Sequence, residues 1–107
     1  MNLFVADPSP PPASERSDEI ARCSGVVIER TISAGYASPP GFWYDQEADE
    51  WVAVLQGTGV LKFDDGSTRT LHAGDHLLIR AHQRHQIAST SVNPPCLWLA
   101  VHMQESS

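Results

Sequence analysis

Basic residues are scarce in this chain: seven Lys and Arg stand against thirteen Asp and Glu in 107 residues, for a formal charge of −6. With no basic stripe to track a phosphate backbone or an anionic lipid surface, nucleic acid and membrane are excluded as partners. A small neutral or cationic ligand, or a metal ion, suits the balance better. Cysteine is almost missing. Cys23 and Cys96 follow no CxxC or Cys/His spacing and read as ordinary thiols, neither a disulfide framework nor a structural zinc site. No stretch approaches the ~18 apolar residues of a membrane span, and MNLFVADPSP has no basic segment ahead of an apolar run. The expectation is a cytoplasmic protein without a signal peptide. Absent too are a Ser/His/Asp triad, a P-loop, a dinucleotide fingerprint and, beyond residue 24, any apolar period of 3.6 long enough for a helix.

What is present falls into two parts. Residues 1–24 read as an N-terminal arm: residues 2–6 as a short edge strand, then the stiff run Asp7-Pro8-Ser9-Pro10-Pro11-Pro12, then a brief helix over residues 13–23 with Ser14 as N-cap and acidic residues in its early turns. From residue 25 to 103 the pattern is strands broken by Gly, Pro and Asp turns: 26–33, 51–56, 60–63, 68–71, 76–79, 85–91 and 96–102. Gly57-Thr58-Gly59 reads as a tight turn and Asp64-Asp65-Gly66-Ser67 as a hairpin loop. Seven or eight short strands predict an all-β antiparallel sandwich or barrel, with residues 104–107 as a loose tail.

The stretch GFWYDQEADEWVAVLQG, residues 41–57, concentrates Phe42, Trp43 and Tyr44, the polar pair Asp45 and Gln46, and the acidic Glu47, Asp49 and Glu50 ahead of an apolar run. A surface loop has little use for so much ring area, and a core strand little use for so many carboxylates. A strand entering a lined pocket accommodates both.

Two spacings carry a resemblance. Glu50, six residues and Gly57 match the end of G(X)5HXH(X)3-4E(X)6G, and Gly74, five residues and Arg80-Ala81-His82-Gln83-Arg84-His85 follow G(X)5PXG(X)2H(X)3N. The chain thus resembles a small single-domain bacterial cupin over residues 26–102, which implies a jelly roll, or double-stranded β-helix. Only Glu50 and His85 keep the family's ligand types. In one register its first two histidines fall on Tyr44 and Gln46, in the other on Trp43 and Asp45, while Ser38, Arg80, His82 and Ser89 replace a glycine, a proline, a glycine and an asparagine.

The resemblance implies a divalent transition metal (iron, manganese, nickel or zinc) on Gln46, Glu50 and His85, with Tyr44 or Asp45 as fourth ligand. An amide oxygen and a phenol are poorer donors than imidazole, so such a site holds metal less tightly than three histidines do. The same residues equally make a hydrogen-bonded polar network. Strand alternation places Glu50, Val52, Val54 and Gln56 on one face, and the pocket is expected to include Tyr44, Val52, Val54, Gln56 and His102. His82 is expected at a rim, and His72 and His76 on the surface. The function implied is a metal-dependent enzyme of dioxygenase or isomerase type on a small molecule, or a non-catalytic binding or sensing module with a metal-free pocket. Exposed sheet edges make a homodimer the expected assembly.

Overall fold

A computed structural model of the chain describes residues 2–4 and 9–104. Eight strands run in chain order: β1 (Ser14–Cys23), β2 (Val26–Ala34), β3 (Asp49–Gln56), β4 (Thr58–Phe63), β5 (Thr68–His72), β6 (His76–Ile79), β7 (His85–Thr90) and β8 (Cys96–Met103). They form a five-stranded sheet in the order β1-β2-β8-β3-β6 and a three-stranded sheet in the order β5-β4-β7, every pairing antiparallel. The all-β antiparallel architecture expected from the turn pattern, and the jelly roll that the resemblance implies, are what is found.

The apolar run of β3 is covered on both sides, with Val52, Ala53 and Val54 all buried. Val52 and Val54 join Leu61, Phe63, Leu71, Ile79, Cys96, Trp98 and Ala100 in one core between the sheets. Gly57 carries the chain from one sheet to the other at φ 75°. A side chain there would lie 2.5 Å from Ser91 Oγ and 2.7 Å from the Pro95 carbonyl, so glycine is demanded twice over. The expected turn is shorter than three residues, because Thr58 and Gly59 already pair with β5. Gly59 faces Trp98, whose ring occupies the space a Cβ would need.

One element departs from its expected type. Residues 13–23 contain no helix; Ser14–Cys23 is β1, a ten-residue strand paired along its length with β2. Ser, Glu, Arg and Ala are acceptable helix formers, but a short helix here would have only Ile20, Ala21 and Cys23 to bury. Pairing satisfies the backbone and sets Asp18 against Arg30, Glu15 against Ser33 and Ser17 against Thr31. The expected edge strand over residues 2–6 is also absent where it is described. Leu3 and Phe4 form a turn, Arg30 donates to the carbonyls of Asn2 (3.4 Å) and Leu3 (3.3 Å), and Val5 and Ala6 lie outside the described residues. Of the expected tail, Gln104 is described and donates its N–H to the Gly25 carbonyl at 2.7 Å. Cys23 is exposed and Cys96 buried, both as free thiols.

Candidate functional site

A cavity of about 170 Å3 lies between the two sheets. β1 and β2 contribute Glu15, Ser17, Glu29 and Thr31 to its wall, β3 contributes Glu50 and Val52, and β8 contributes Trp98, Ala100 and His102. His85 and Ile87 enter from β7, and Tyr44 and Gln46 from the segment before β3. Register explains the convergence. Glu50 and His102 are direct cross-strand partners, so their side chains share one face. Tyr44 is held to β7 by a bridge to His85, with backbone bonds of 2.7 and 3.2 Å in the two directions, and its ring stacks on the imidazole at 5.2 Å between centroids.

His85 is the best-defined group of the site. It is 4 % exposed, and its Nδ1 lies 2.9 Å from the Gln83 carbonyl. A carbonyl only accepts, so Nδ1 carries a proton, and in the neutral tautomer Nε2 is bare. That nitrogen stands 3.8 Å from Glu50 Oε1, outside hydrogen-bond range. Two acceptors so spaced both reach one donor atom at ~2.8 Å from each. On the five-stranded sheet beside Glu50, His102 Nε2 lies 2.8 Å from Glu29 Oε1, and Glu15 accepts from Ser33 Oγ at 2.9 Å. Ser33 in turn accepts from Trp98 Nε1 at 3.1 Å.

Burial dominates the electrostatics. It pushes the Glu50 carboxyl up, with Glu29 adding to the rise and the imidazoles of His102 and His85 opposing it. Glu15 is raised by burial and by Glu29, against the Ser33 hydrogen bond. The Tyr44 phenol is pushed far up, first by burial and then by Glu15, Tyr36, Glu50 and Glu29, so it stays protonated. Burial also takes the Cys96 thiol up to about 12, which leaves it inert as a nucleophile.

Of the residues singled out in the sequence, Tyr44, Gln46, Glu50, Val52, His85 and His102 all line the cavity. Asp45 does not. Half exposed, it lies at 2.7 Å from the exposed His82, which takes the expected rim position. Val54 and Gln56 are likewise outside the cavity wall. Val54 is wholly buried in the core, and a register shift after it breaks the alternation, so that the Gln56 amide donates to the Pro95 carbonyl at 3.2 Å. Glu15, Ser17, Glu29 and Thr31 were missed. The polar row Glu29, Thr31, Ser33 on one face of a β-branched strand was the available signal for β2, whereas β1 read as a helix offered none.

Whether these donors fit a metal can be judged from their chemistry. His85 Nε2 and Glu50 are metal-type donors, and Gln46 adds an amide oxygen. Among the described residues no group of three His, Cys, Asp or Glu is arranged to hold an ion, and the raised phenol of Tyr44 is a poor fourth ligand. Two good donors and an amide fall short of a closed transition-metal set.

The cupin-domain family profile matches residues 30–102. A crystal structure from Ralstonia eutropha, of a protein named a "putative mannose-6-phosphate isomerase", is 42% identical, covers 98% of this chain and 97% of its own, and superposes with a TM-score of 0.90. A cupin superfamily protein from Desulfitobacterium hafniense superposes at 0.76 with 21% identity, over 91% of this chain and 84% of its own. A cupin protein from Bacteroides fragilis does so at 0.65 with 26% identity, over 79% and 70%. No curated protein matches the chain.

Proposed function

The chain belongs to the cupin domain family, and from that premise we propose that its barrel interior is a binding site for a small polar molecule gripped between Glu50 and His85. One observation carries the reading: the Nε2 of a buried imidazole stands 3.8 Å from a carboxyl oxygen, on the wall of a cavity large enough for a ligand. Groups at that separation both reach one atom placed between them, which a bound molecule would supply. Apolar walls from Val52, Leu61, Ile79, Ile87 and Trp98 supply contact area, and the few polar groups fix orientation. In its enzymatic form the site is a proton-transfer isomerase. Glu50, its carboxyl pushed up by burial, and His85 Nε2 both stand within reach of one bound group and so are placed to exchange a proton with it.

The name of the Ralstonia relative suggests a phosphorylated sugar, but no Lys or Arg lines this cavity, so a phosphate dianion would face carboxyls without a counter-charge. A divalent iron, manganese, nickel or zinc ion is the second reading, favoured by the same two donors with Gln46 as a third. A homodimer formed through the open edge of β1, in the cytoplasm, completes the proposal.

The test is ligand-observed NMR with a panel of small polyols, amines and carboxylates, on wild type and on Glu50→Gln and His85→Asn variants shown to be folded by circular dichroism. Binding that both substitutions abolish supports the pocket; hits that neither substitution weakens overturn it. Metal content by mass spectrometry, on protein purified without chelator, separates the second reading. Near-stoichiometric metal in the wild type that Glu50→Gln loses would put the ion first.

A further inference from the structure

Strand alternation sorts the charges of β1 and β2 by sign. Glu15 and Glu29 point into the cavity and are joined there by Glu50, whereas Arg16 and Arg30, one residue along, fall on the opposite face. Asp18 holds both arginines on that outer face, at 3.1 and 2.8 Å. Three carboxyls therefore share a space of about 170 Å3 whose wall contains no Lys or Arg. His102 answers Glu29 at 2.8 Å and Ser33 answers one oxygen of Glu15, while Glu50 has only the distant His85 and the cross-strand His102.

His85 points the same way independently of the carboxyls. It is 4 % exposed, and its second nitrogen, an acceptor in the neutral tautomer, has no hydrogen-bond partner at Glu50's 3.8 Å. A hydroxyl has one hydrogen and satisfies one of these two acceptors. A protonated amine has two or three and satisfies both, while its charge offsets the carboxyls. Tyr44 and Trp98 add aromatic surface of the kind cations favour.

Resting on the binding-site reading above, we propose that the ligand is a small organic cation, a protonated amine carried on a ring or short chain. Its N–H groups donate to Glu50 and to His85 Nε2, and Glu15 and Glu29 supply the remaining negative field. A cavity of about 150 Å3 accepts a benzene ring, so this one takes a ligand of about six to eight non-hydrogen atoms.

The test uses three probes of one shape, benzylamine, benzyl alcohol and benzoate, titrated into chelator-treated full-length protein at neutral pH by isothermal calorimetry and protein NMR. The expected order is amine tighter than alcohol by about tenfold or more, with benzoate not bound, since one favourable charge contact in a half-buried site exceeds the ~1.4 kcal/mol of a tenfold preference. The near-isosteric Glu15→Gln, Glu29→Gln and Glu50→Gln should each lower the amine-to-alcohol ratio several-fold. If a variant fails to fold, the wild-type ratio still decides. Alcohol binding as tightly as amine, with Glu50→Gln and His85→Asn abolishing both, would overturn the cationic ligand and leave the binding site standing. Tighter benzoate, amine binding unmoved by all three Gln substitutions, or no binding of any probe up to about 10 mM would also overturn the cation; the polyol and carboxylate arms of the wider panel then decide the site by themselves.

Discussion

The two faces of the β1–β2 ribbon handle buried charge in opposite ways. On the outer face Arg30, its side chain 4% exposed, lies 2.8 Å from Asp18 and donates to the carbonyls of Asn2 and Leu3. That arrangement is closed, because charge and hydrogen bonds are met within the chain, and it draws the Asp18 carboxyl below its ordinary range through the bonds from Arg30 and Arg16. On the inner face Glu15, Glu29 and Glu50 meet a hydroxyl and imidazoles, and burial pushes Glu15 and Glu50 the other way. The difference is one of partner: guanidinium groups answer the carboxyl outside, whereas a hydroxyl and an imidazole answer Glu15 and Glu29 inside.

Arg30→Ala is the hardest test of that contrast and carries the largest expected effect. It leaves Asp18 with Arg16 alone and releases the turn at Leu3 and Phe4, and urea unfolding should show a loss of about 2 kcal/mol. Ser33→Ala acts on the inner face, where one hydroxyl links Trp98 to Glu15. The expected cost is about 1.5 kcal/mol by the same measurement, since Trp98 Nε1 loses its acceptor and Glu15 a donor.

Glu50→Gln separates the faces by pH. A carboxyl whose folded pKa is raised contributes stability that is full below the unfolded value of 4.5 and is lost as pH rises through the folded value. For Asp18, lowered from 3.8, the contribution is present above that value and lost as pH falls. The melting temperature of Glu50→Gln should therefore equal or exceed that of wild type at neutral pH and fall relative to it near pH 4. Asp18→Asn should do the reverse, losing stability at neutral pH and little in acid. Differential scanning fluorimetry across pH 3–8 checks both. The smallest change is expected at the rim, where Asp45→Ala breaks an exposed contact with His82 at a cost below about 0.5 kcal/mol.

Much of this was legible in the chain. Runs such as EWVAVLQ and CLWLAVH, punctuated by Gly and Pro, announce strands because β-branched and aromatic residues between turn formers have few other uses. The Glu50 and His85 spacings placed two groups that do converge. SERSDEIARC was not legible as a strand, because its extended state is secured by Arg30, Ser33 and Thr31 on another segment and not by its own propensities. With β1 misread, Glu15 and Ser17 could not be assigned to any wall. Gln56 failed for a narrower reason: a register shift overrides the period of two that set the expectation.

The sequence by itself determined the class of fold, most of its strands, the acid-rich balance that argues against phosphate-bearing partners, and the spacings that bring a carboxyl and an imidazole, Glu50 and His85, to one cavity. Those follow from local patterns, which depend on neighbours along the chain. Only the tertiary structure decided that Glu15 and Glu29 join Glu50 inside while Arg16 and Arg30 stay outside, that Asp45 pairs with the exposed His82 away from the cavity wall, and that His85 Nε2 stands 3.8 Å from Glu50. Facing, depth and separation are set by which strands pair and in what register, and those pairings join residues as far apart in the chain as Glu29 and His102.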